Sequence, residues 1–177
     1  MTMTLRRDAG QTGRRYVFAF RAAVLAAAIA LTAVPRGALS AESPFSALSG
    51  SWSGDGTIKK TDGGSERIRC RSTYNPATGS KLQLRLRCAS DSYNFDLTAN
   101  VAYEGGAISG TWSESTRQAT GSLQGRSTGN GRQIQAIARG IIFTANLTMN
   151  TRGDKQSITI LAPGTDIAQV DIALNKQ

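Results

Sequence analysis

The chain contains no histidine, and this absence excludes several classes of functional site. Without an imidazole, the protein cannot build a Ser-His-acid or Cys-His nucleophile. It also lacks the side chain that most often ligates zinc and haem iron. The two cysteines are not accompanied by further ligands of the kind a metal site needs. We therefore expect no metal and no cofactor.

Carboxylates remain as candidates for catalysis. Asp96, Glu104 and Glu114 could form a carboxylate pair of the glycosidase kind. However, Asp96 falls on the outer face of its predicted strand, and Glu104 falls in the turn YEGG. The sequence also has no phosphate-binding loop, nucleophile elbow or calcium loop. These observations predict a protein that is not an enzyme.

Long apolar runs are absent except near the N-terminus. The run AAVLAAAIALTAV at 22–34 follows a region with five arginines and precedes the small residues GALSAES. This order predicts a secretory signal peptide over 1–41, cleaved near Ser40 or Ala41. A run of 13 residues is short of the roughly 20 that span a bilayer, so the mature form is expected to lack a transmembrane anchor. The segment GRRYVF resembles a twin-arginine export signal, except that Gly13 stands where Ser or Thr is usual, and both export routes stay open.

Much of the positive charge lies in this N-terminal region. The whole chain has 21 basic and 12 acidic residues, a net charge of +9. Residues 1–40 hold six arginines and one aspartate, which leaves 15 basic and 11 acidic residues, or +4. The net charge therefore gives little support for a nucleic-acid partner, and we expect none. From the predicted signal peptide, we expect a periplasmic or secreted protein.

Helical spacing of apolar residues is also missing from the mature chain, and period-two alternation takes its place. Apolar residues alternate with polar ones in YNFDLTANVAY, and IIFTANLTM places Ile141 and Phe143 on one face. Turn sequences such as TDGG, NPATG, EGG and TRGD separate these runs. We count about ten strands, near 50–60, 66–74, 81–90, 93–103, 107–115, 119–127, 132–139, 141–150, 155–162 and 166–174.

Short connections between these strands favour antiparallel pairing of sequence neighbours. An open meander would leave two unpaired edges, and closure removes both. The sequence thus predicts an all-β protein: a single antiparallel up-and-down meander barrel of about 8–10 strands over 42–177, preceded by the signal peptide. A two-sheet sandwich is the alternative.

Aromatic residues make up only 6% of the chain, yet both tryptophans stand in nearly the same context. LSGSWSG and ISGTWSE place Gly50 two residues before Trp52, and Gly110 two residues before Trp112. Residues two apart in a strand share a face, and a glycine leaves room there for a large ring or a bend. Such a ring could plug one end of a barrel. The alternative is that both tryptophans are ordinary core residues.

This G-x-W spacing resembles the signature that opens lipocalins, and LSGSWSGDG resembles the first strand of avidin-type barrels. The resemblance implies a calycin-type barrel, and it covers about seven residues in each copy. The second copy departs from the lipocalin pattern, which has one. No binding residue of either family is carried over by position.

The two cysteines are expected to form a disulfide. Cys70 and Cys88 lie on adjacent predicted strands, on the faces that carry Ile68 and Leu86. An even cysteine count in an exported chain favours a bridge. Closing this loop stabilises the fold by about 3 kcal/mol in the chain-entropy model.

The opposite face of the same hairpin is strongly basic. Its candidate anion-binding residues are Arg67, Arg69, Arg71, Lys81, Arg85 and Arg87. They could bind anionic lipid, lipopolysaccharide or an acidic glycan. The alternative is a solvated sheet face whose arginine stems cover apolar surface.

The leading hypothesis is a non-enzymatic exported barrel that binds a small apolar or lipid-like molecule. The candidate cavity residues are Leu84, Leu86, Phe95, Leu97, Phe143 and Leu147. These side chains could equally fill the interior. Docking of the basic hairpin on an anionic envelope polymer is the second hypothesis. A protein partner is the third, because bacterial metalloprotease-inhibitor barrels are similar in having an early G-x-W and one bridge.

Overall fold

Ten strands and one short 3-10 helix, Ser46–Leu48, make up the part of the protein that is described. The structure, a computed structural model, describes residues 45–77, 80–129 and 131–177. The strands are β1 (Gly50–Lys60), β2 (Ser65–Ala77), β3 (Lys81–Ala89), β4 (Asn94–Glu104), β5 (Ala107–Glu114), β6 (Ala119–Thr128), β7 (Gln133–Gly140), β8 (Thr144–Arg152), β9 (Lys155–Leu161) and β10 (Ile167–Lys176). The predicted signal peptide over 1–41 lies outside the described residues and stays a prediction.

Each strand pairs antiparallel with its neighbours in sequence, and β10 pairs with β1 to close the ring. Trp52 stands opposite Lys176 at this closing seam. The predicted all-β, up-and-down meander barrel is confirmed, with ten strands, and the sandwich alternative is excluded. Closure leaves no strand edge open to pair with another chain.

Period-two alternation sorts the side chains into an inner and an outer set, as β2 shows most clearly. Ile68, Cys70, Ser72 and Tyr74 on this strand are buried, whereas Arg67, Arg69 and Arg71 are exposed. Because successive side chains in a strand point to opposite faces, the apolar set lines the interior and the arginines face solvent.

The disulfide links β2 to β3. Cys70 lies directly opposite Cys88, with their Cα atoms 4.1 Å apart. Both side chains are buried. The predicted bridge is confirmed, and the same register sets Arg71 opposite Arg87 on the outer face.

The turn between β7 and β8 departs from the prediction. We placed Ile141 on an inward face of a strand over 141–150, but β8 begins at Thr144 and Ile141 is 94% exposed. The Gly140 N–H donates to the Phe143 carbonyl at 2.9 Å, which closes a tight turn. Alternation therefore stops at Gly140, and two isoleucines occupy the tip of the turn. The pattern of apolar residues could not reveal this, because a turn does not follow the strand period.

The two ends of the barrel differ. Residues 45–48, the 3-10 helix with its N-cap, form a 3-10 segment at the closed end, where β1 begins. Phe45 and Leu48 of this segment are fully buried. At the open end lie the β1–β2, β3–β4, β5–β6, β7–β8 and β9–β10 turns. Within the described residues, no helix has the length and apolar character that crossing a bilayer requires.

Candidate ligand cavity

A cavity of about 510 Å³ occupies the interior of the barrel. It reaches from Phe45 and Tyr74 near the closed end to Tyr93, Arg117 and Ile142 at the open end. Its wall is almost wholly apolar. Sites for small molecules usually measure roughly 300–1,000 Å³ and are lined mainly by apolar side chains. The barrel interior therefore has the size and the chemistry of a binding site.

The structure places all six candidate cavity residues on the wall of this space: Leu84, Leu86, Phe95, Leu97, Phe143 and Leu147. They come from β3, β4, β8 and the β7–β8 turn. The sequence had left open whether these side chains fill the interior, and in the structure they surround a space instead.

Small residues on one side of the barrel create that space. Ala136, Ala138 and Ala145 line the cavity from β7 and β8, and Gly121 and Gly125 stand on the inward face of β6. The inward residues of β6 are only half-buried although they face the interior. Sequence reasoning missed this wall. The small residues that alternate in ATGSLQG mark this wall in the sequence, but they show no apolar periodicity.

Gly121 lets the ring of Trp112 lie against the barrel wall. A Cβ atom at Gly121 would lie 2.7 Å from Cζ2 of Trp112, so the indole ring lies over the bare backbone of β6. Its Nε1–H donates to the Ser122 carbonyl at 3.1 Å, and the ring packs on Phe143 at 5.4 Å between centroids. The ring thus lines the cavity without crossing it.

The other tryptophan lies at the closed end. Trp52 is 1% exposed, and its Nε1–H donates to the Leu48 carbonyl at 2.8 Å. Its ring meets Tyr74 edge-on at 6.3 Å, and Phe45 meets Tyr103 in the same way. The structure therefore gathers Trp52 with the 3-10 segment at the floor of the cavity, whereas Trp112 belongs to the wall.

The two glycines of the G-x-W segments are explained separately. Gly50 has φ of +110°, a conformation that glycine adopts readily and other residues rarely do. A Cβ at Gly110 would overlap the backbone carbonyl of Asn100 on β4, so this position needs glycine for the close approach of two strands.

A small polar network closes the floor. The Tyr74 hydroxyl donates to Oε1 of Gln156 at 2.6 Å, and Nε2 of Gln156 donates to the Thr151 hydroxyl at 3.1 Å. Burial raises the pKa of Tyr74 to about 12, while its hydrogen bonds act in the opposite direction. The tyrosine is therefore neutral, and its partners satisfy its donor.

This raised pKa predicts a loss of stability at high pH. The unfolded chain releases the phenolic proton near pH 10, whereas the folded protein retains it up to about pH 12. Over that range the unfolded state is favoured progressively, and Tyr74 is expected to lower the unfolding free energy by about 1.4 kcal/mol per pH unit. Urea unfolding between about pH 9 and about pH 12 measures this. Tyr74→Phe should flatten the decline; equal slopes in both proteins would contradict the assignment.

At the open end, Glu114 is buried but fully hydrogen-bonded. Its carboxylate accepts bonds from the N–H groups of Asp96, Thr116 and Arg117 and from the Thr116 hydroxyl. Burial raises the pKa of Glu114, but these hydrogen bonds together outweigh that effect and hold the pKa below its ordinary value. The carboxylate thus ties the β5–β6 turn to β4.

The carboxylate pair considered from the sequence does not form. Asp96 lies on the outer face of β4, Glu104 lies at the closed end, and Glu114 faces inward at the open end. Within the described residues, no group of acidic or cysteine side chains could hold a metal ion.

The basic outer face divides into two parts. Arg85 and Arg87 both donate to the Asp96 carboxylate, Arg85 through Nε at 3.1 Å and Nη2 at 2.9 Å. The hydrogen bonds from Arg85, with the charge of Arg87, hold the pKa of Asp96 below its ordinary value. In contrast, Arg67, Arg69 and Arg71 on β2 form no ion pair with any described residue. Lys81 lies at the far end of β3, next to the closed end.

The barrel resembles solved structures, although no family model and no curated protein matches the chain. Rv2717c from M. tuberculosis has a TM-score of 0.64 and 14% identity, covering 77% of this chain and 97% of that one. The S-type phycobiliprotein lyase CPES from Guillardia theta has a TM-score of 0.57 and 7% identity, covering 75% and 89%. Since one of these is named a lyase, the expectation that this chain is not an enzyme stays a prediction. At these identities the likeness shows that this chain shares the barrel fold of the two structures.

Proposed function

We propose that the protein is a non-enzymatic barrel that binds one small apolar or lipid-like molecule in its interior. The observation that carries this proposal is the apolar cavity of about 510 Å³, which Ala136, Ala138 and Ala145 on β7 and β8 leave open. An empty apolar interior lacks packing contacts. An apolar ligand supplies these contacts, and its own apolar surface is removed from water when it binds.

Export fits this role. The buried Cys70–Cys88 bridge is compatible with an oxidising compartment. With the predicted signal peptide, we place the protein in the periplasm or outside the cell. A barrel that shields an apolar molecule from water would serve to carry it through either compartment.

Titration with a neutral apolar fluorophore, N-phenyl-1-naphthylamine, tests the proposal. We expect saturable binding of one molecule per chain, with the emission shift of an apolar environment. The affinity should hold when salt is raised, because the cavity wall is uncharged over most of its area. A signal that rises linearly without saturation would count against an interior site.

A second candidate function rests on the three arginines of β2 that form no ion pair with a described residue. Arg67, Arg69 and Arg71 project from the outer face of this strand and could bind the phosphates of lipopolysaccharide or an acidic glycan. Asp55 lies opposite Arg69 on β1 and weakens the field of this row. The triple variant with Ser at positions 67, 69 and 71 should lose salt-sensitive binding to lipopolysaccharide, since most contacts to an anionic polymer are electrostatic. Equal retention by the variant and the parent protein would end this candidate.

A further inference from the structure

Two adjacent isoleucines stand almost fully in solvent at the open end of the barrel. Ile141 is 94% and Ile142 is 91% exposed. Among the large apolar side chains of the described residues, the next most exposed is Leu161, at 43%. The centre of a turn usually holds glycine, asparagine, aspartate or serine. Two β-branched apolar residues there form a contiguous apolar tip, and the exposure of such a patch to water is energetically unfavourable.

The turn is held in this form by the residues on either side. The Gly140 N–H donates to the Phe143 carbonyl, and Phe143 turns inward to pack on Trp112. The backbone at the base of the turn is therefore fixed from both strands. Ile141 and Ile142 thus occupy the tip of a turn whose base is held from both strands.

The exposed charged side chains beside the tip are basic. Between residues 115 and 153 the sequence carries five arginines and no acidic residue. Two of them, Arg117 and Arg139, are exposed beside the tip, on the β5–β6 turn and at the end of β7. Arg117 lies 3.9 Å from the buried Glu114, and Arg139 forms no ion pair with any described residue. Glu114 is buried, and the other acidic residues near the open end, Asp62, Glu66, Asp91 and Asp166, lie on or beside other turns.

We propose that this tip docks on the surface of a bilayer that contains anionic phospholipid. Ile141 and Ile142 enter the boundary between headgroups and acyl chains, while Arg117 and Arg139 contact lipid phosphates. A second copy of the chain fits less well, because a symmetric contact through the isoleucines would bring the arginines of both copies together. Ile142 also lines the cavity, so docking places the mouth of the barrel against the bilayer. The inference does not depend on what the cavity holds.

Co-sedimentation of the full chain with phosphatidylglycerol vesicles tests the proposal. Ile141→Asn with Ile142→Asn should weaken partitioning by about tenfold or more, because two apolar side chains no longer leave water. Leu161→Asn is the matched control on the outer wall and should bind as the parent does. Arg139→Ser should weaken binding to phosphatidylglycerol vesicles and leave the weaker binding to phosphatidylcholine unchanged. Because both isoleucines are exposed, the unfolding midpoint should not move.

A position-specific readout separates this contact from any other part of the chain that binds lipid. Ile142→Trp should give blue-shifted emission with phosphatidylglycerol vesicles and quenching by brominated lipid. The buried Trp52 and Trp112 of the parent supply the background spectrum. Unchanged emission, together with full binding by the double asparagine variant, overturns the proposal. It is also overturned if binding is lost only with the substitutions at Arg67, Arg69 and Arg71, or if the isoleucines prove to support a dimer and no vesicle contact.

Discussion

Replacing Ala138 by phenylalanine is expected to abolish most binding of an apolar fluorophore while the barrel stays folded. Ala138 points into the cavity from β7, between Leu123 on β6 and Ala145 on β8. A phenyl ring there takes up space that the ligand needs. If the ring displaces roughly 100 Å² of buried ligand surface, at about 25 cal/mol per Å², affinity falls about a hundredfold.

The neighbouring position supplies the control. Ile137 lies on the outer face of the same strand, opposite Gln124 and Asn146. Ile137→Phe adds a ring of the same kind outside the barrel and should leave affinity unchanged. Fluorescence titration of both variants, with circular dichroism to verify the fold, measures the difference. Parent-like affinity in a folded Ala138→Phe protein would show that the fluorophore binds elsewhere.

Trp52→Ala is expected to cause the largest loss of stability of any single substitution discussed. The ring is 1% exposed, packs on Tyr74, and donates to the Leu48 carbonyl. Removing a buried tryptophan usually costs about 3–5 kcal/mol, and here the 3-10 segment also loses its hydrogen bond to β1. A domain of this size is stable by about 5–15 kcal/mol, so the variant approaches unfolding.

Urea unfolding of Trp52→Ala and Trp52→Phe distinguishes packing from hydrogen bonding. Trp52→Phe keeps an aromatic ring but loses the donor, and should fall between the parent and the alanine variant. Trp112→Phe offers a second comparison on the cavity wall. A loss below about 1 kcal/mol for Trp52→Ala would show that Trp52 and the 3-10 segment contribute little to closing the barrel.

The strands of this fold could be predicted from the sequence because each strand has one solvent-exposed face and one face toward the barrel interior. β2 and β3 alternate between exposed and buried residues, and their bounds agree with the predicted ones to within a few residues. The disulfide register followed from the same parity. Ile141 was misplaced because two consecutive apolar residues at a turn look like the start of a buried strand.

The cavity could be predicted only in part. The large wall residues, such as Leu86 and Phe95, follow from alternation within one strand. The hollow itself depends on which small residues lie side by side on neighbouring strands, as Ala138 on β7 lies opposite Ala145 on β8. That pairing requires the register of the closed ring. The hydrogen bonding of Glu114 was likewise hidden, because its donors are backbone N–H groups that any sequence supplies.

Native mass spectrometry of the protein, purified without detergent from cells grown on a complex medium, shows whether the barrel interior holds a ligand. We expect a single adduct per chain with the mass of an apolar small molecule or lipid. The adduct should survive high salt and be absent from Ala138→Phe. Repeated isolation of a protein without an adduct, which also fails to bind added apolar molecules, would contradict the proposal that the interior is a binding site.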